Sequence, residues 1–274
     1  MILIQRIIEK EDQLFADGDF VGAGRLLQYW LAEAEADHDL AGMFFLRNEQ
    51  MGLYRKTGKQ EEAFAAAEAG LALIPQLGYE NSVSGGTCYI NAATVYKAFG
   101  EAKRALPLYQ KAKEIYEVEL MGSEETDING SPIKNGKPVQ DGKPVRDGRL
   151  GGLYNNMALA LLDEKQYTEA EELFQKALAV MEKVPDGQLD AAITWLNLAD
   201  LHCARDGYEK AKEFIETCLN KAERLLHTES IEQGNYAAFV YEKCAPIFGY
   251  YYHKEAQEKL QQKAKAIHER TGTV

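Results

Sequence analysis

Two stretches of the chain, YTEAEELFQKALAVMEK (167–183) and YEKAKEFIETCLNKAER (208–224), set their apolar side chains in the same register. Each has an aromatic residue, a small one three later, a large one four after that and a small one three after that. In the first these are Tyr167, Ala170, Phe174 and Ala177, and in the second Tyr208, Ala211, Ile215 and Cys218. At 3.6 residues per turn such positions form one stripe, which predicts an amphipathic helix. With the first small residue as anchor, the stripe recurs at Ala23, Ala63, Ala105, Ala170, Ala211 and Ala256, at intervals of 40, 42, 65, 41 and 45 residues. A second amphipathic segment precedes each anchor. Gly18, Gly58 and Gly100 stand five residues ahead of the first three anchors, and Gly suits the left-handed end of a helix. The predicted unit is therefore helix A, a tight turn and helix B. Alanine at the crossing lets the two backbones approach, while Tyr109, Phe174 or Leu260 fills the space beside it.

The one long interval contains NGSPIKNGKPVQDGKPVRDG (129–148), in which the unit [ND]-G-x-P-[IV]-x comes three times. Removing 127–149 returns the spacing to 42, so this Pro/Gly-rich segment is an insertion between the third and fourth repeats. Its Asn-Gly and Asp-Gly pairs are hairpin signals. Each intervening tetrapeptide, however, carries a proline in second place that removes a ladder donor, so the expectation is a turn-rich loop and not a β-meander. Lys134, Lys137, Lys143, Arg146 and Arg149 against Asp141 and Asp147 make it basic. It reads equally well as a lid on a groove and as a spacer.

Composition narrows the function. With 43 acidic and 31 basic residues the net charge is −12, which argues against a nucleic-acid partner. MILIQRIIEK at the N-terminus has no basic leader and too short an apolar run for a signal peptide or membrane span, giving the expectation of a cytoplasmic protein without membrane contact. Cys88, Cys203, Cys218 and Cys244 lie far apart and read as small buried residues in a reducing compartment. The five histidines fall in different repeats. His202 with Asp206 has ligand spacing, but its place at a helix end reads as solvated or capping. No nucleophile elbow, phosphate loop or zinc motif occurs. The chain is thus expected not to be an enzyme and to hold no metal and no cofactor.

The small–large–small pattern of helix B, repeated in YINAATVYKAFGEAKRALPLYQKA, LYNNMALALLDEKQYTEAEELFQKALAVMEK and TWLNLADLHCARDGYEKAKEF, resembles the tetratricopeptide repeat. The period near 42 is most similar to its kinesin-light-chain type. The resemblance covers 43–225 and implies an all-α fold, a right-handed α-solenoid of about six helix-turn-helix repeats with one inserted loop, in a single domain spanning 1–274. At the ends, Lys10 and Glu11 replace small apolar residues, and Pro246 falls inside the last helix A, where it should kink or break it. Both ends read as capping repeats.

Asn91, Asn156 and Asn197 each lie 14 residues before an anchor, so stacked repeats would present them as a ladder. A carboxamide both donates and accepts, which suits the backbone of an extended peptide; the resemblance implies that role for all three. The alternative is that they tie neighbouring helices together. The same wall includes Asn48, Arg55, Lys97, Asn155 and Asp200, with Glu49, Gly52 and Thr94 among them. The function expected is a non-catalytic adaptor or scaffold holding a protein or peptide in the groove; the alternative is a self-association module that forms a homodimer through its end repeats. The aromatic run Tyr236, Phe239, Tyr241, Phe248, Tyr250, Tyr251 and Tyr252 reads as core, with a contact surface as the other possibility.

Overall fold

The computed structural model describes residues 4–121, 125–126, 132–134, 137–138, 148–184, 187–228, 231 and 234–271. The chain divides into two compact units, Met1–Val145 and Arg146–Val274. The division falls within the insert.

The first unit contains α1 (Ile4–Ala16), α2 (Phe20–Ala36), α3 (Leu40–Lys56), α4 (Gln60–Leu77), α5 (Val83–Ala98) and α6 (Ala102–Met121). The second contains α7 (Arg149–Asp163), α8 (Tyr167–Met181), α9 (Gln188–Asp206), α10 (Tyr208–Leu226), α11 (Asn235–Tyr250) and α12 (Lys254–Thr271). Each unit is a run of three helix pairs, the all-α solenoid architecture that the periodicity predicts. Odd-numbered helices are the A helices and even-numbered ones the B helices.

All six anchor alanines are buried, and Tyr109, Phe174 and Leu260 beside them are closed off from solvent. Gly18, Gly58 and Gly100 take φ of +70°, +70° and +82°, the left-handed turn expected of them. In the fourth repeat Lys165 holds the same place at φ +59°. Asp19 and Asp39 start α2 and α3, their carboxylates accepting from the Gly22 and Gly42 amides at 2.7 and 3.0 Å.

In the third and fourth repeats the helices of a pair also trade side-chain size. Gly86 and Gly151 stand 19 residues before their anchors; Tyr116 and Met181 stand 11 after. A Cβ on Gly86 would lie 2.6 Å from the Tyr116 ring, and one on Gly151 would overlap the Met181 methyl. In the fifth repeat the same two places hold Ala192 and Ala222, both fully buried. Where helix A gives up its side chain, helix B supplies a large one.

Two expectations need correction. A small antiparallel sheet forms where the insert begins: β1 (Glu125–Thr126) just ahead of it pairs with β2 (Pro132–Lys134) and β2 with β3 (Lys137–Pro138) inside it, setting Glu125 against Ile133 and Ile133 against Pro138. Its prolines are tolerated because Pro132 opens its strand and Pro138 is on an edge. The rest of the Pro-Gly motif lies outside the described residues. Pro246 does not break α11, which continues to Tyr250; Pro75 and Pro107 likewise sit inside α4 and α6.

Candidate functional site

The expected site residues lie on the A helices. In the first unit α3 and α5 are joined by a carboxamide pair: Asn91 Nδ2 donates to Asn48 Oδ1 at 2.9 Å, and Asn48 Nδ2 donates to the Phe44 carbonyl at 2.8 Å. Asn48 is thereby fixed. The pair lines a cleft of about 180 Å³, with Glu49, Arg55 and Thr94 around it and Met51 and Gly52 completing it. Gly52 is exposed and a Cβ there would meet nothing within 4 Å, so the wall is open at that point. Thr94 is oriented by the Tyr109 hydroxyl at 3.1 Å. Arg55 is exposed in the last turn of α3. Lys97, in the last turn of α5, does not line the cleft. Behind it, burial pushes the Cys88 thiol up to about 12, making it unreactive at neutral pH.

The second unit repeats the rung. Asn155 Oδ1 accepts from Asn197 Nδ2 at 2.9 Å and from Thr194 Oγ1 at 3.2 Å, joining α7 to α9. Asn155 and Asn197 are both buried. Measured from the anchors, Asn48 and Asn155 are at −15, and Asn91 and Asn197 at −14. The donor always comes from the following repeat. Asn156, at −14 in its own repeat, belongs to neither pair and makes no hydrogen bond among the described residues. Asp200 accepts from the Tyr251 hydroxyl at 2.8 Å; burial raises its carboxyl, and the Tyr251 bond acts the other way. Of the eight site residues, the structure thus pairs Asn48 with Asn91 and Asn155 with Asn197, brings Arg55 to the first rung, and holds Asp200 against α11.

Sequence reasoning missed Glu11. It is buried in α1, and its Oε1 has no hydrogen-bond partner among the described residues. Burial, then Glu49, then Asp12 push its carboxyl up to about 7. The signal was present as a charge where a capping helix needs an apolar side chain. His202 also differs from expectation. It is buried and stacked on Phe214 with centroids 3.7 Å apart; Nε2 lies 3.0 Å from Glu171, and Nδ1 faces Arg205 at 3.0 Å and Asp206 at 3.7 Å. It bridges α8, α9 and α10 instead of meeting solvent. Among the described residues, no group of three or more His, Cys, Asp or Glu side chains could hold a metal, and no helix is long and apolar enough to cross a membrane. The aromatic run splits: Tyr241, Phe248 and Tyr251 are core, whereas Tyr236, Phe239, Tyr250 and Tyr252 are more than half exposed.

Helix pairs of this period, with small anchors at the crossing and polar side chains along the A helices, define a helical-repeat protein. Tetratricopeptide-repeat family models match residues 86–120 and 150–224. Among solved structures, BtubC (BKLC) from P. vanneervenii is 21% identical with a TM-score of 0.63, over 81% of this chain and 79% of that one. A putative kinesin light chain with nearly identical TPR-like repeats from Podosopora anserina is 15% identical with a TM-score of 0.50, over 83% and 95%. A Rap protein complexed with competence and sporulation factor is 14% identical with a TM-score of 0.50, over 95% and 73%. No curated protein matches the chain by sequence. Residues 86–120 and 150–224 thus match tetratricopeptide repeats, and the fold is similar to that of repeat proteins of the kinesin-light-chain type.

Proposed function

We propose that the protein is a non-catalytic adaptor that binds an extended segment of a partner protein on its A-helix faces. The observation that carries this reading is the cleft beside Asn48 and Asn91, where amide, hydroxyl, guanidinium and carboxylate groups converge next to the open backbone of Gly52. Asn91 commits one amide hydrogen to Asn48 and keeps its Oδ1 for a ligand N–H. Asn156 keeps both ends of its carboxamide. A peptide laid along the A helices of either unit meets carboxamides that satisfy its main chain whatever its side chains are, and in the first unit Arg55 adds a preference for a carboxylate. The Rap protein of similar fold was solved with competence and sporulation factor bound, which supports a protein or peptide as ligand.

The test is capture of partners from native lysate by the wild type and by an Arg55→Ala, Asn91→Ala, Asn156→Ala variant, after circular dichroism confirms equal helicity. These three positions avoid the buried Asn155–Asn197 rung, so lost binding is not lost folding. A partner held by the wild type and released by the variant supports the reading; a partner held equally by both refutes it.

A further inference from the structure

The first unit has a second cleft, away from the asparagine rung, that the adaptor reading does not use. It has a volume of about 590 Å³ and is formed by the turn after α4, the first half of α5 and the last half of α6. Its floor is apolar: Tyr89, Ile115 and Val118, the last 73% exposed. Glu114, Ile115, Val118 and Glu119 lie within six residues on α6 and share one helix face. The rim is acidic, with Glu80, Glu114 and Glu119 against Lys111, which is held over the Tyr89 ring at 5.4 Å. Glu114 takes a hydrogen bond from Gln110, and the nearby Lys113 reaches toward Glu117. Glu80 and Glu119 have no cationic partner among the described residues.

The wall that carries Glu80 is rigid. Gly78 turns the chain at φ +67°, Ser82 Oγ caps α5 by accepting from the Gly85 amide at 3.1 Å, and Tyr79 packs edge-on against Phe44 with ring centroids 5.3 Å apart. A Cβ on Gly85 would collide with the Tyr79 carbonyl, so turn and helix are in direct contact. The backbone that carries Glu80 is therefore in place before any ligand arrives, which lowers the ordering cost of binding.

We propose that this cleft docks a short basic peptide segment of a partner protein, with one aliphatic side chain seated on Ile115 and Val118 and flanking Lys or Arg side chains facing Glu80 and Glu119. The volume is in the range of sites that bury a ligand of this size. The apolar floor supplies affinity and the unpaired carboxylates supply sign.

The probe is the peptide acetyl-Lys-Lys-Leu-Val-Lys-Lys-amide, titrated against the full chain at low and physiological salt and followed by methyl NMR. Shifts are expected at the Ile115 and Val118 methyls. A Glu80→Gln, Glu119→Gln variant should bind about fivefold more weakly, whereas Glu61→Gln, Glu62→Gln, with the same change of net charge on exposed α4, should bind unchanged. The peptide with Ser in place of Leu-Val should lose the methyl shifts. Equal weakening by the two double variants would reduce the effect to bulk charge and overturn the proposal. So would shifts confined to the Asn48–Asn91 cleft, or a dimer that dissociates on Val118→Ser, which would make a second copy of the chain the occupant.

Discussion

Glu11 gives the sharpest test of the packing at the N-terminal end. The residue is 3% exposed, its Oε1 is unbonded among the described residues, and Glu49 and Asp12 are the charges that act on it. Burial and like charge favour the protonated form, so the folded pKa near 7 stands above the ordinary 4.5. The native state then binds more protons than the unfolded one between those values, and stability falls as pH rises through about 7. At about 1.4 kcal/mol per pH unit the full effect has a ceiling of roughly 3 kcal/mol. α1 is a terminal helix, and water entering as it frays screens the charge, so we expect about half of that. Glu11→Gln removes the titration and keeps the shape. The assay is hydrogen exchange of the α1 amides between pH 5 and pH 9, after correction for the intrinsic pH dependence of exchange. Wild type and variant should be similar near pH 5, and by pH 8.5 the variant should protect α1 more, by about 1.5 kcal/mol. Parallel profiles across the range would refute the reasoning.

Three further outcomes are expected. Gly86→Ala drives a methyl into the Tyr116 ring, whose hydroxyl is held by Thr87 at 2.7 Å; overpacking outweighs the gain in helix propensity, and thermal melts should show a net loss of about 1–2 kcal/mol. Lys165→Gly relieves a left-handed backbone and should raise the melting temperature by an amount equivalent to about 0.5–1 kcal/mol. Asn197→Ala removes one of the two donors to the buried Asn155 Oδ1 and should cost about 1–3 kcal/mol in denaturant unfolding, whereas Asn156→Ala should cost little.

The helix pairs were legible because their determinants are local. An alanine at a crossing is forced by backbone distance, and Gly18, Gly58 and Gly100 by a left-handed turn, so period and register follow from the chain alone. The asparagines were legible as positions but not as partners. Counting from anchors aligned Asn91, Asn156 and Asn197, whereas the stagger between neighbouring A helices sets the −14 residue of one repeat against the −15 residue of the one before. That offset belongs to three-dimensional packing. Glu11 was read as an oddity of a capping helix because its environment is supplied by Glu49, far away in sequence. The sheet in the insert was underestimated because proline was weighed as a breaker without regard to strand edges.

The trade of volume between Gly86 and Tyr116, Gly151 and Met181, Ala192 and Ala222 makes these repeats dialects and not copies. A helix moved from one repeat to another would arrive with the wrong half of its pair. Tyr116 opposite Ala192 would find no room, and Ala222 opposite Gly86 would leave a void. Shuffling or consensus averaging must therefore exchange both positions at once, and single substitutions at either are held in check by the other. The chain has the look of a modular array, yet its modules recognise only their own partners.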